Sequence, residues 1–367
     1  MNLDPPVRVQ LVCSGDATLR TGGGTYNQQL VEAASNHGFV MEPVTPSEFD
    51  PGSTDIVVID SLDASRMLSA MFRPRRRPPA VALVHQHPGG VDGPRWARRL
   101  RSAADLATYR RCDLVVPTGR VLADQLVRHR IDARRVRVVE PGTDRPAPAA
   151  PATQATVRDG RLLGLVTVAN WWPNKGIAEL VEAVARLAPD RATLHLVGRT
   201  DVAPSYEAAL RRRLALPDLA GRVQVHGPLD PGAVADLLAG ADAFAFPSHI
   251  ESYGMAAAEA VAAGLPVIGW DLPFLHRLVG HGVSGLLAEP FDVAALSRAV
   301  DRLAVDHQFR RALAVGARRR RTALPTWADA TGRFYRALRE LVPGRGRGAM
   351  SATVTLGPPT GPYRRTG

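Results

Sequence analysis

DAFAFPSHIESYGMAAAEAVAAGLPVIG occupies residues 242–269. Two apolar runs, 242–247 and 265–269, flank a helical pattern over about 254–263. Neither run alternates apolar with polar residues, so both read as strands buried on both faces. Gly264 and Pro266 follow the last helical residue, the order that ends a helix and restarts the chain as a strand. A buried strand, a crossover helix and a second buried strand make one unit of a parallel α/β sheet.

The same unit repeats outward in both directions. In the first half, residues 7–13, 55–60, 80–84, 113–118 and 135–140 read as strands, with helices over 25–37, 62–72, 95–109 and 119–130. The stretch 141–160, PGTDRPAPAAPATQATVRDG, is rich in Pro and Ala and reads as a linker. Beyond it, strands over 161–168, 192–198, 222–227 and 284–290 join the two already quoted. Helices over 176–188, 204–216, 231–239 and 292–304 separate them. The fold class is therefore α/β, with two doubly wound Rossmann-like domains facing a cleft. The expected divisions are 1–145, a linker over 146–160, and 161–325. A final helix, 327–341 within about 326–342, follows, and the Gly/Pro/Arg tail 343–367 is expected to be disordered.

Composition supports two domains. A chain of 367 residues exceeds one ordinary core, and 45% hydrophobic with 22% charged residues is globular usage. No apolar run is long enough to span a membrane. The start, MNLDPPVRVQLVCSG, has no leader pattern, so the cytoplasm is the expected location. Cys13 and Cys112 lack metal-like spacing and read as free thiols. The net charge of +11 includes Arg345, Arg347, Arg364 and Arg365 in the tail, which has no acid. With no interleaving of aromatic and basic residues, nucleic acid is not an expected partner. The runs at Arg73–Arg77 and Arg98–Arg101 read as a solvated face, with peripheral contact to an anionic membrane as the alternative.

Within the quoted stretch, Glu251 falls in the loop after a strand and Glu259 lies more than a turn into the helix. The backbone N–H groups of Tyr253, Gly254 and Met255 open that helix, and open helix starts attract anions. Two carboxylates flanking an anion site suit a ligand with a phosphate centre and hydroxyls at both ends, as in a nucleotide sugar. A second candidate is WWPNKG, 171–176. Lys175 is the single lysine among 46 basic residues, at a strand-to-helix corner where a compact ammonium suits a diphosphate. Trp171 and Trp172 are expected at the cleft rim. Gly22, Gly23 and Gly24 read as a loop before a helix, allowing close approach of an anion. His85 ends the strand 80–84 and faces the cleft, a better candidate than His87; no metal site is expected.

Together these residues resemble the retaining glycosyltransferases of family 4, which have the GT-B fold. Glu251-Ser-Tyr-Gly-Met-Ala-Ala-Ala-Glu259 matches the family's E-x7-E motif. NKG (174–176), HGPL (226–229), the early glycines and VVEPGTD (138–144) also match. The resemblance implies a nucleoside-diphosphate sugar donor, UDP- or GDP-linked, with no metal or other cofactor. It implies Lys175 on the donor pyrophosphate, Glu259 on the ribose, Glu251 on the donor sugar and the Tyr253–Met255 backbone on the distal phosphate. It further implies that Gly23–Gly24 close over the diphosphate, that His85 meets the transferring sugar, and that the last helix crosses back to the N-terminal domain. Many members carry an arginine where this chain has Asn170, and Arg199 is the candidate replacement. The acceptor, expected on the N-terminal domain, is a glycan, a lipid-linked molecule or a small molecule. Other expectations of the same fold are a nucleotide-sugar epimerase, a phosphorylase, or a module that binds nucleotide sugars without catalysis.

Overall fold

The structure, a computed structural model, describes residues 5–14, 21–72, 77–144 and 157–342. The tail 343–367, most of the linker and Arg73, Arg75 and Arg76 lie outside the described residues.

The N-terminal sheet contains β1 (Val7–Val12), β2 (Phe39–Val44), β3 (Ile56–Asp60), β4 (Ala80–Val84) and β5 (Leu114–Pro117). All pairs are parallel, in the order β2-β1-β3-β4-β5. The connections carry α1 (Gly22–Ala33), α2 (Ala64–Met67), α3 (Arg95–Tyr109) and α4 (Arg120–Arg128). The C-terminal sheet contains β6 (Leu163–Val168), β7 (Ala192–Val197), β8 (Val223–Gly227), β9 (Ala243–Phe246), β10 (Val267–Trp270) and β11 (Gly285–Ala288). It too is parallel, in the order β11-β10-β9-β6-β7-β8. Its helices are α5 (Ile177–Ala185), α6 (Pro204–Leu214), α7 (Pro231–Gly240), α8 (Met255–Ala262), α9 (Val293–Val305) and α10 (His307–Arg320). A last helix, α11 (Trp327–Arg339), completes the described chain.

Each strand order reverses once, between β1 and β3 in the first sheet and between β6 and β9 in the second. At such a switch point the following loops diverge to opposite faces and leave a crevice beyond the carboxyl ends of the strands. Core strands β3, β4 and β9 are buried at every residue, as unalternating runs require when helices cover both faces.

α11 belongs to the first core rather than the second. Phe334, Tyr335 and Leu338 are fully buried among Tyr26, Leu30 and Phe39, and the Tyr335 hydroxyl donates to the Leu30 carbonyl at 2.5 Å. The chain returns tightly, since a Cβ on Gly142 would lie 2.3 Å from the Trp327 nitrogen. A reciprocal cap between Thr326 and Asp329 starts the helix.

Several expectations are corrected. Residues 135–140 are not a strand: a 3₁₀ turn covers Ala133–Arg135, and Val136 makes one isolated bridge to Val115. β2 was not expected; it carries Glu42 and Pro43, which an edge strand tolerates because one side needs no hydrogen-bonded partner. α10 was also not anticipated, and helix 62–72 is only α2 plus a 3₁₀ turn at Ala70–Phe72. Trp171 is not at a rim but fully buried in the C-terminal core, whereas Trp172 is half-buried. Among the described residues no helix is long and apolar enough to cross a membrane.

Candidate functional site

The loops after β6 and β9 leave the sheet side by side at the switch point. The first carries a 3₁₀ turn, Pro173–Lys175, ended by Gly176 at φ 69°. A Cβ at Gly176 would lie 2.1 Å from the Pro247 carbonyl oxygen, so glycine is needed for both conformation and contact. One step further on, the His249 N–H donates to the Asn174 carbonyl at 2.9 Å. Seated this way, the Lys175 ammonium and the Glu251 carboxylate form an ion pair. Their side chains are only 26% and 17% exposed, so the pair is less screened than a surface one.

Immediately beyond, Gly254 opens α8 in the left-handed region, at φ 91° and ψ 56°, with no side chain to cap the first N–H groups. The Phe246 ring would lie 3.2 Å from a Cβ there. Tyr253 is buried, and burial first, then the charge of Glu140, pushes its hydroxyl pKa up. Glu259 sits partly buried inside α8. Burial, with the negative charge of Asp144 added, pushes its carboxyl up to about 7. Thus Lys175, Glu251, Gly254 and Met255 are gathered at one crevice, with Glu259 on the following turn.

The N-terminal domain closes against this crevice. A Cβ on Gly22 would lie 3.1 Å from the Met255 sulfur, and one on Gly23 would lie 3.3 Å from the His85 ring. A Cβ on Gly119 would lie 2.3 Å from the Ser252 carbonyl oxygen. Glu140 and Arg277 add an ion pair between the domains at 2.7 Å. The glycines differ from expectation in one respect. Gly22, Gly23 and Gly24 are the first turn of α1 rather than a loop before it, capped by Thr21, whose hydroxyl accepts from the Gly24 N–H. Their backbone is ordinary helix, so their small size serves contact rather than conformation.

His85 is largely buried at the end of β4, beside the other switch point. Its Nε2 lies 2.9 Å from the Asn27 amide oxygen and 3.4 Å from an Asp60 carboxylate oxygen. The Asn27 amide donates to Asp60 at 2.6 Å, and the Leu62 N–H donates to the other oxygen at 2.9 Å. Burial raises the Asp60 pKa, but His85 and these hydrogen bonds outweigh it and hold the carboxyl below its ordinary value. Asp60 and Asn27 were missed from the sequence. The available signal was an acid ending an apolar strand, one strand away from His85. His87 lies apart, with Nδ1 on the Gln125 side chain.

Two residues expected at the donor site have structural partners within the chain. The Asn170 side-chain oxygen accepts the Arg199 backbone N–H at 2.9 Å, and the Trp171 N–H donates to the Arg199 carbonyl at 2.8 Å. Asn170 therefore ties the β6 loop to the β7 loop. The Arg199 guanidinium is held by both oxygens of Asp201, at 2.8 and 2.9 Å.

Two doubly wound sheets with apposed switch points define a GT-B architecture. Family models match in tandem: Glycosyltransferase Family 4 over residues 48–145, and Glycosyl transferases group 1 over residues 163–306. The chain belongs to the group 1, family 4 glycosyltransferases. It is 33% identical over 220 residues to the D-inositol 3-phosphate glycosyltransferase of Xylanimonas cellulosilytica, covering 56% of this chain and 52% of that protein. The chain spans about half the length of the curated relatives it matches. Among solved structures, sucrose-phosphate synthase of Thermosynechococcus elongatus matches with a TM-score of 0.77 at 20% identity, over 91% of this chain and 99% of that one. Anabaena HepE in complex with UDP-glucose matches at 0.75 and 18% identity, over 91% and 99%. At these identities the likeness is one of fold.

Proposed function

We propose that this protein transfers a sugar from a nucleoside-diphosphate sugar to an acceptor held by the N-terminal domain, with retention and without a metal ion. The carrying observation is the Lys175–Glu251 pair beside the uncapped start of α8. A donor diphosphate takes Lys175 from Glu251 and accepts hydrogen bonds from the Gly254 and Met255 N–H groups. Glu251, released, accepts a hydroxyl of the donor sugar, and Glu259 accepts from the ribose. Gly23 and Gly24 let the diphosphate approach α1, while His85, oriented by Asp60 and Asn27, meets the transferring sugar.

In the transfer, the bond from the anomeric carbon to the diphosphate oxygen breaks. The acceptor oxygen forms the new bond on the same face, and its proton passes to the departing diphosphate. The developing negative charge meets an ammonium and fixed N–H dipoles, an environment where one donor contributes about 2.7–4 kcal/mol. UDP-linked donors come first for trial, because UDP-glucose is bound by the similarly folded HepE. The test is a panel of nucleotide sugars scored by thermal stabilisation, followed by product analysis with and without acceptors. Stabilisation by at least one donor supports the reading. Conversion of a donor without any acceptor indicates an epimerase, phosphate-dependent cleavage indicates a phosphorylase, and binding without turnover indicates a binding module.

A membrane-bound acceptor is favoured by one observation. On α3, Trp96 and Leu100 lie a turn apart and are 67% and 65% exposed, beside Arg95, Arg98, Arg99 and Arg101. Aromatic and aliphatic side chains framed by arginines suit an anionic lipid surface. The expected result is sedimentation with vesicles containing phosphatidylglycerol, lost in Trp96→Ser/Leu100→Ser. Equal sedimentation of both proteins would remove the contact.

A further inference from the structure

A second cavity, of about 630 Å³, lies at the opposite end of the C-terminal sheet from the cleft. Its walls are set by residues that precede strands: Arg158 before β6, Asp242 before β9 and Pro266 before β10. The remaining wall is α10, which presents His307, Arg310, Arg311, Ala314 and Arg318 to it. Those positions repeat at helical spacing and form one face. Four guanidiniums therefore share the cavity with one carboxylate, an excess of three positive charges.

That carboxylate is already committed. Asp242 accepts from Arg158 at 2.5 and 2.7 Å and from the Gly164 N–H at 2.8 Å, while Arg310 Nε stands 3.5 Å away. Arg310 is buried and donates to the Leu303 carbonyl at 2.5 Å and to His307 Nδ1 at 2.7 Å. Since arginine only donates, His307 Nδ1 is the acceptor and its proton sits on Nε2, which is then a further donor. Arg311 and Arg318 are exposed and have no ion-pair partner among the described residues. One nearby cation is explained by the carboxyl end of α8, which runs into the cavity wall at Ala263 and Gly264, but four are not. The stretches 145–156 and 343–367 contain no Asp or Glu, and Asp306, next to His307, is engaged as the cap of α10. Ala239, Ala241, Ala263, Gly264 and Ala314 keep the volume open, and it is large enough for a small molecule.

We infer that this cavity binds a compact phosphorylated anion through Arg311, Arg318 and His307, at a site separate from the donor crevice. Arginine forks pair with phosphate oxygens two at a time, and a group with two phosphates matches the charge excess. The inference does not depend on the transfer reaction proposed above.

The test is thermal stabilisation and calorimetry with inorganic pyrophosphate at constant ionic strength, on wild type, Arg311→Ala/Arg318→Ala and Lys175→Ala. A parallel arm uses phosphatidylglycerol vesicles to distinguish a lipid phosphate from a free one. Both replaced arginines are exposed and have no ion-pair partner among the described residues, so the double variant is expected to fold. Its circular dichroism and melting temperature in buffer check this directly. The expected result is pyrophosphate binding weakened at least tenfold in the double variant and largely retained in Lys175→Ala. If vesicles alone bind, with the same dependence on Arg311 and Arg318, the anion is a lipid headgroup. Ligand binding that is equal in wild type and double variant, or absent from wild type in both arms, overturns the inference.

Discussion

Lys175 and Glu251, 76 residues apart in the chain, are ion-paired where β6 and β9 send their loops to opposite faces. The pairing is built by the backbone beneath it, through Gly176 on Pro247 and His249 on Asn174. Each side chain is thus held in place by its partner, and on the proposed reading a donor separates them. Replacing Lys175 by Ala is expected to lower kcat/KM by about 10²–10³-fold, the range for removing one preorganised donor. The melting temperature should move by only a few degrees. Lys175→Arg should restore less than a tenth of the activity, because a planar fork does not occupy the place of a compact ammonium. Steady-state kinetics of both variants on the donor found by the panel check this.

Gly176→Ala should cost stability as well as activity. At φ 69° an L-residue is strained by about 1–2 kcal/mol, before the overlap with the Pro247 carbonyl is added. A drop of roughly 4 °C or more is expected in a thermal melt. A change of less than 1 °C would show that the two loops are not seated as described.

Glu259 gives a pH dependence with a definite sign. Its folded pKa of about 7 lies above the ordinary carboxyl value, so the folded state holds its proton more tightly than the unfolded chain. Its contribution to stability is full below the unfolded value and is lost as pH rises through about 7. Glu259→Gln should therefore be more stable than wild type at pH 8, by about 1–3 kcal/mol, and not at pH 5. Nucleotide affinity should behave oppositely, rising through pH 7 in wild type as the carboxylate forms and staying flat in the variant. Melts and nucleotide titrations at pH 5, 7 and 8 read both.

Asp60 is expected to act through His85. Its carboxyl is held below the ordinary value, so the stability it contributes is present above that value and fades as pH falls through the folded pKa. Asp60→Asn should lower kcat at least tenfold while changing KM less than threefold, because the imidazole loses its orienting charge. It should also shift the acidic limb of the rate profile. Equal loss from wild type and variant on acidification would assign Asp60 a merely structural role.

The alternation of buried strands with helices made most of both sheets legible in the sequence. The E-x7-E match pointed to Glu251 and Glu259, and its being the single lysine pointed to Lys175. What escaped detection depends on neighbours remote in the chain. β2 was hidden because Glu42 and Pro43 break its apolar run, and only its edge position makes them tolerable. The Val-rich run at 135–140 looked like a strand. It lies along β5, where Arg137 and Val139 donate N–H bonds to Val115 and Pro117, but its pairing stops at one isolated bridge from Val136. Asp60 gains its meaning from β4 lying beside β3, which sets it against His85. Asn170 looked like a missing cation, whereas its hydrogen bond to Arg199 gives it a structural task. The glycines at 22–24 signalled close approach, but not that they would form the first turn of α1.

The claim that the C-terminal switch point binds a nucleoside diphosphate through Lys175 is tested most directly by calorimetric titration of UDP and GDP into wild type and Lys175→Ala. Saturable binding of at least one nucleotide to wild type, weakened tenfold or more in the variant, is the expected result. Equal affinity of both proteins, or no binding of either nucleotide to wild type, would contradict it.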